Sequence, residues 1–127
     1  MSVLSIISEE LDNIGVPYEF MRWTSGVTDE YWVGEYSEDP ITTEDGYKAS
    51  TVILTGTVNT MNGTWLQLEQ TRANIENHFH PICGLSRSTD SGVVVIYYGN
   101  SFPIPTGEAN LKRIQINLQV KEWRNIQ

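Results

Sequence analysis

Residues 110–123 read NLKRIQINLQVKEW, the longest unbroken alternation in the chain. Ile114, Ile116, Leu118 and Val120 fall at every second position, with Gln115, Asn117, Gln119 and Lys121 between them. A period of two sets the first group on one face of a β-strand and the second on the other, so the strand has one buried and one polar face. At roughly 3.3 Å per residue it spans some 30 Å or more, long for a small domain.

Partners for this strand lie upstream. In Ser50–Asn59, Val52, Leu54 and Val58 share a face with Gly56, while Thr51, Thr55 and Thr57 line the other. That alternation is a second strand. Gly92–Tyr98 (GVVVIYY) is a continuous apolar run, the pattern of a strand buried on both faces. Pro17–Thr24 and Glu30–Ser37 are aromatic extended segments, and Ser25-Gly26 between them predicts a hairpin. From Ser37 to Ala49 the periodicity disappears; Glu38, Asp39, Pro40, Glu44, Asp45 and Gly46 predict a polar, acidic, flexible loop. Gly99–Gly107, with Pro103 and Pro105, reads as a shaped connector.

Two segments follow the helical period. In residues 2–13, Val3, Leu4, Ile7 and Leu11, continued by Ile14, make one stripe, with Gly15 placed for a left-handed cap and Pro17 to block continuation. Thr64 and Gln67 form a capping-box pattern, followed by Trp65, Leu68, Arg72, Ile75 and Phe79, a stripe interrupted only by Arg72. His80-Pro81 ends it. The order is helix, three strands, helix, two strands. It predicts a single α+β domain over residues 1–127, with a mostly antiparallel sheet of about five strands and two helices packed on it.

The 127 residues suffice for one core, and thirteen aromatic residues argue against disorder. One cysteine excludes an internal disulfide framework. No apolar run approaches the roughly 18 residues needed to span a bilayer. Glu9, Glu10 and Asp12 stand where a signal peptide carries basic charge, so the expectation is an intracellular chain with no membrane partner. The formal charge of −8 is concentrated: residues 1–50 hold eleven acids against Arg22 and Lys48. Such a chain lacks the clustered bases that grip a phosphate backbone, so sequence-specific nucleic-acid binding is not expected.

Catalytic constellations are scarce. No Walker loop, G-x-G-x-x-G, G-x-S-x-G or H-E-x-x-H occurs. His78, His80 and Cys83 place three N/S donors within six residues, which raises a zinc site. Structural zinc sites usually draw on two separated pairs, and no second pair exists. The expectation is therefore a helix C-terminus with both histidines facing the negative dipole end, Cys83 as a small core residue, and no metal or cofactor. Acid neighbours such as Glu38 and Asp39 rarely span a cleft as glycosidase carboxylates do. No enzyme activity is expected.

The aromatic group Trp23, Tyr31, Trp32 and Tyr36 suits either core packing or a subunit interface. With Glu38, Asp39, Glu44 and Asp45 it makes up the candidate contact residues. The polar face of the last strand, Gln115, Asn117 and Gln119, is either solvated or, in a ring, faces the lumen.

Three stretches carry a resemblance: an acidic loop ending in DGYKAS, then TVILTGTVNTMNGTWLQLEQTRANIENHF, then ANLKRIQINLQVKEW. Together with the order of elements they resemble the tail-terminator or tail-completion (head–tail joining) proteins of long-tailed bacteriophages and prophages, over about residues 1–124. The resemblance implies a structural protein of the virion tail, assembled in the host bacterial cytoplasm as a homo-oligomeric ring of about six subunits. Such a ring terminates the tail tube and joins it to the head connector, and tube and connector proteins are its partners. It transfers no active-site residue. The alternative from another class is a small ligand- or peptide-binding α+β module using the aromatic hairpin as a groove.

Overall fold

The computed structural model describes residues 3–21, 30–42, 47–60, 63–89 and 92–124, with backbone alone for 38–42, 47–48 and 124. Its elements are α1 (Val3–Asn13), β1 (Tyr18–Phe20), β2 (Glu30–Thr42), β3 (Tyr47–Asn59), α2 (Trp65–Phe79), β4 (Leu85–Thr89), β5 (Gly92–Ile104) and β6 (Leu111–Arg124). The fold is α+β: two helices and one mixed, mostly antiparallel six-stranded sheet in the order β1-β2-β3-β6-β5-β4, curled into a half-barrel.

The 110–123 alternation lies at the centre of that sheet. β6 pairs antiparallel with β3 from Tyr47↔Trp123 to Asn59↔Leu111, and with β5 along its other side. Ile114, Ile116, Leu118 and Val120 are buried, as are Val52 and Leu54 opposite Leu118 and Ile116, and Val58 further along the same face of β3. Both helices close over this face, α1 through Ile6, Ile7 and Leu11 and α2 through Leu68, Ile75 and Phe79.

Helix ends follow local chemistry. Gly15 adopts φ 76°; its N–H donates to the Asp12 carbonyl and that of Val16 to Leu11, both at 3.0 Å. This is a Schellman cap, with Val16 and Leu11 buried as its apolar pair. Thr64 Oγ1 accepts from the Gln67 N–H at 3.1 Å, as the capping-box pattern predicts.

Four expectations need correction. The first two aromatic segments do not form a hairpin: β1 is three residues long and runs parallel to β2, with Tyr18 opposite Trp32. Its direction is set by α1, since the Schellman cap feeds the chain through Pro17 onto the sheet edge, where the Pro17 carbonyl accepts from the Trp32 N–H at 2.8 Å. The acidic loop of 37–49 contracts, because β2 continues to Thr42 and β3 begins at Tyr47. Pairing shifts register between Glu38 and Thr42, and Pro40 sits within that irregularity, where a missing N–H is tolerated. Residues 43–46, including Glu44 and Asp45, lie outside the described residues. Third, the connector after Tyr98 is strand as far as Ile104, carried past a register shift between Tyr98 and Asn100; Val93, at 39% exposure, also departs from burial on both faces. Fourth, Leu85–Thr89 is a strand, the sixth, at the sheet edge beside β5.

Trp32, an interface candidate from sequence, is fully buried in the core. Its Nε1 donates to Oε2 of Glu30 at 2.7 Å, a carboxylate buried with it. The indole lies across Gly56, its cross-strand partner, where a Cβ would stand 2.5 Å from the ring. Gly56→Ala therefore lowers stability by about 1–3 kcal/mol through overpacking. Combined with Trp32→Leu it costs less than the sum of the two single losses in urea denaturation. Strictly additive losses would show that the added methyl does not meet the indole.

Candidate functional site

The possible metal donors do not converge. His78 Nε2 lies 3.1 Å from Oε2 of Glu10 on α1. His80 is exposed at φ 48°, and its Nδ1 accepts from the N–H groups of Ile82 and Cys83 at 3.2 and 3.1 Å. The ring thus caps its own turn. Cys83 is exposed rather than a core residue; the turn meets β5 through Gly84, beside Val95 and Tyr97, and leaves the thiol outside. Among the described residues no three His, Cys, Asp or Glu side chains gather as a metal-binding group.

Two part-buried polar networks occur instead. Glu10 is only 7% exposed; beside His78 it takes Nη1 of Arg87 on Oε1 at 3.1 Å, while Arg87 Nη2 reaches Glu9 at 3.3 Å. One guanidinium thereby ties the edge strand β4 to α1, and His78 adds α2. The helical stripe in 2–13 contains the signal for Glu10, which lies three residues after Ile7. Arg72, the charge within the α2 stripe, bonds Glu69 at 3.1 Å, Glu76 at 2.9 Å and the Tyr98 hydroxyl at 3.2 Å. The Tyr98 bond is the main influence holding that guanidinium above its ordinary pKa. Tyr98 in turn donates to Ser101 Oγ at 2.6 Å. Both networks fasten elements together and leave no unpaired reactive group at their centres.

The remaining chemistry lies on the sheet face turned away from the helices. Register places Tyr31, Val33 and Glu35 of β2, Ile53, Thr55 and Thr57 of β3, and Arg113, Gln115, Asn117 and Gln119 of β6 on this open face. β5 adds Tyr97 and, past its irregularity, Asn100 and Phe102. An amide row crosses it: Gln115 Nε2 donates to Asn117 Oδ1 at 3.0 Å, and Asn117 Nδ2 to Asn100 Oδ1 at 2.9 Å. Arg113 Nε donates to Thr57 Oγ1 at 3.1 Å, and Lys121 Nζ stands 5.3 Å from the Tyr97 ring centre. A shallow cleft of about 330 Å³ is lined by Tyr31, Val33, Glu35, Thr55, Thr57 and Arg113. Its groups are hydroxyls, one acid and one base, suited to polar contact.

Of the contact candidates, Tyr31 is half-buried on this open face, whereas Tyr36 is half-buried against the core on the opposite one. Glu38 and Asp39 lie on β2, and Trp23 falls outside the described residues. Gln115 and Asn117 are half-buried and Gln119 is exposed, all on the open face. Asn100 and Arg113 were not legible as members: Asn100 reaches the face only through the strand extension past Gly99, and Arg113 reads as one more surface charge.

No protein-family model matches the chain, and no curated protein matches it in sequence.

Two predictions follow from the buried groups. Arg87→Ala leaves the Glu10 carboxylate without its guanidinium and costs about 1–3 kcal/mol in equilibrium denaturation; adding Glu10→Leu recovers most of that loss. Burial pushes the Tyr18 phenol up to about 12 from 10.0, and its hydroxyl has no hydrogen-bond partner. A folded-state pKa raised in this way contributes stability that is whole below pH 10.0 and lost as pH rises through about 12. Tyr18→Phe leaves neutral-pH stability equal or higher, and it flattens the alkaline loss measured by denaturation across that window.

Proposed function

We propose that the chain is a structural subunit of a long-tailed phage or prophage. It assembles as a ring of about six copies at the head-proximal end of the tail tube, terminating the tube and joining it to the head connector. It works by contact, without turnover, in the virion tail and before that in the host bacterial cytoplasm.

The observation that carries this reading is the open face. Among the described residues no helix or strand lies across it, and its centre is a row of mutually bonded amides, Gln115, Asn117 and Asn100. The neutral amides at its centre present little for phosphate to hold, the face carries Arg113 and Lys121 apart from one another, and the chain's net charge of −8 repels phosphate. A ring lined by this face lets DNA pass without retention. The resemblance of residues 45–79 and 109–123 to tail-completion proteins points the same way. The alternative, an aromatic ligand groove, draws on Trp32, whose side chain belongs to the core.

Light scattering across a concentration series, with and without divalent cations, tests the reading. A species near six times the 14.4 kDa chain mass is expected. A monomer at every concentration, which also fails to bind purified tail tubes, would overturn it.

A further inference from the structure

We propose that one copy joins the next through two unlike surfaces on opposite edges of the sheet. One is the groove between α1 and β1; the other is the margin formed by the end of β5 and the start of β6. This rests on the assembly reading and names the surfaces that would close the ring.

The two surfaces stand level with each other. A single cross-strand row runs Tyr18, Trp32, Gly56, Ile114, Pro103, from one edge of the sheet to the other. At the first edge a groove of about 690 Å³ has an apolar floor of Leu4, Val16 and Phe20, and its charged lining is Glu9, Asp12 and Glu19. Phe20 is 43% and Met21 62% exposed beside it. At the second edge β4 pairs with β5 only from Gly92 to Ile96, and among the described residues no strand lies outside Asn100–Ile104. A cleft of about 430 Å³ there is lined by Trp65, Pro103, Ile104 and Pro105, and its charged lining is Lys112 and Arg113. Phe102, at 43%, and Leu66, at 76%, are exposed nearby along the chain.

Each surface thus combines exposed apolar area with charge of one sign, and the signs are opposite. A second copy supplies what each lacks. Contact between unlike surfaces repeats head to tail until the rotation closes. Because both surfaces lie at the same level, neighbouring sheets would meet side by side, helices on one side of the wall and open faces on the other.

A charge swap between copies tests this in the full-length chain. Asp12 and Lys112 are both exposed and lie on the two different surfaces. Asp12→Lys sets a base into the acidic surface; Lys112→Glu sets an acid into the basic one. Each alone weakens self-association roughly tenfold in sedimentation equilibrium at low salt. An equimolar mixture recovers the wild-type mass, because the copies can alternate. If a reversal alters the melt, Asp12→Asn and Lys112→Gln replace it and each weakens association in the same direction. Oligomers unchanged in either reversal variant, or no recovery on mixing, overturn the inference while leaving the assembly reading in place. A wild-type chain that stays monomeric throughout overturns the inference as well, and bears on the assembly reading through the tail-tube measurement.

Discussion

The structure depends on burying one face of a long sheet and only one. β3 and β6 run side by side for thirteen residue pairs, and their apolar alternations fall on the same side because the register matches Leu54 to Ile116 and Val52 to Leu118. A slip of one residue would turn every one of those side chains to the other face. Everything else is arranged around that constraint. Both helices must cover the apolar side, Trp32 fills it next to Gly56, and the polar alternation is left looking outward.

One-sided burial also divides the chemistry. On the helix side, Glu10 lies between Arg87 and His78, Glu30 accepts from the Trp32 indole, and Arg72 is held among Glu69, Glu76 and Tyr98. Such networks give little net stability relative to apolar packing, but they are specific, since breaking one partner strands the other. The Arg87 contacts hold the short edge strand β4 to α1, which a five-residue strand with alternating exposed serines could not achieve by packing alone. On the open side Gln115, Asn117 and Asn100 bond to one another along the sheet, and Arg113 bonds Thr57.

Much of this was legible because the signals were periodic. The β6 alternation, the β3 face of Val52, Leu54 and Val58, the Thr64 cap and the Gly15 stop are local patterns with local physical causes. What was not legible depended on partners distant in sequence. The parallel direction of β1 is imposed by how α1 enters the sheet, whereas Ser25-Gly26 carries only a turn signal. Leu85–Thr89 has too few apolar residues to read as a strand and becomes one through β5 and the Arg87 ion pairs. Glycine and proline at 99, 103 and 105 read as a connector, yet at a sheet edge they are accommodated by a register shift. The role of Trp32 turned on Gly56 opposite it, a relation across 24 positions that composition cannot reveal. Of the candidate site, the Gln115, Asn117, Gln119 row followed from alternation, while Asn100 and Arg113 joined it through pairing.

The claim at the centre is that the open sheet face lines the channel of an assembled ring. The most direct measurement is electron microscopy of particles carrying a small gold cluster at Gln119→Cys, with Cys83→Ser removing the exposed native thiol. If the open face lines the channel, the gold lies within a central opening. Gold on the outer circumference would contradict it.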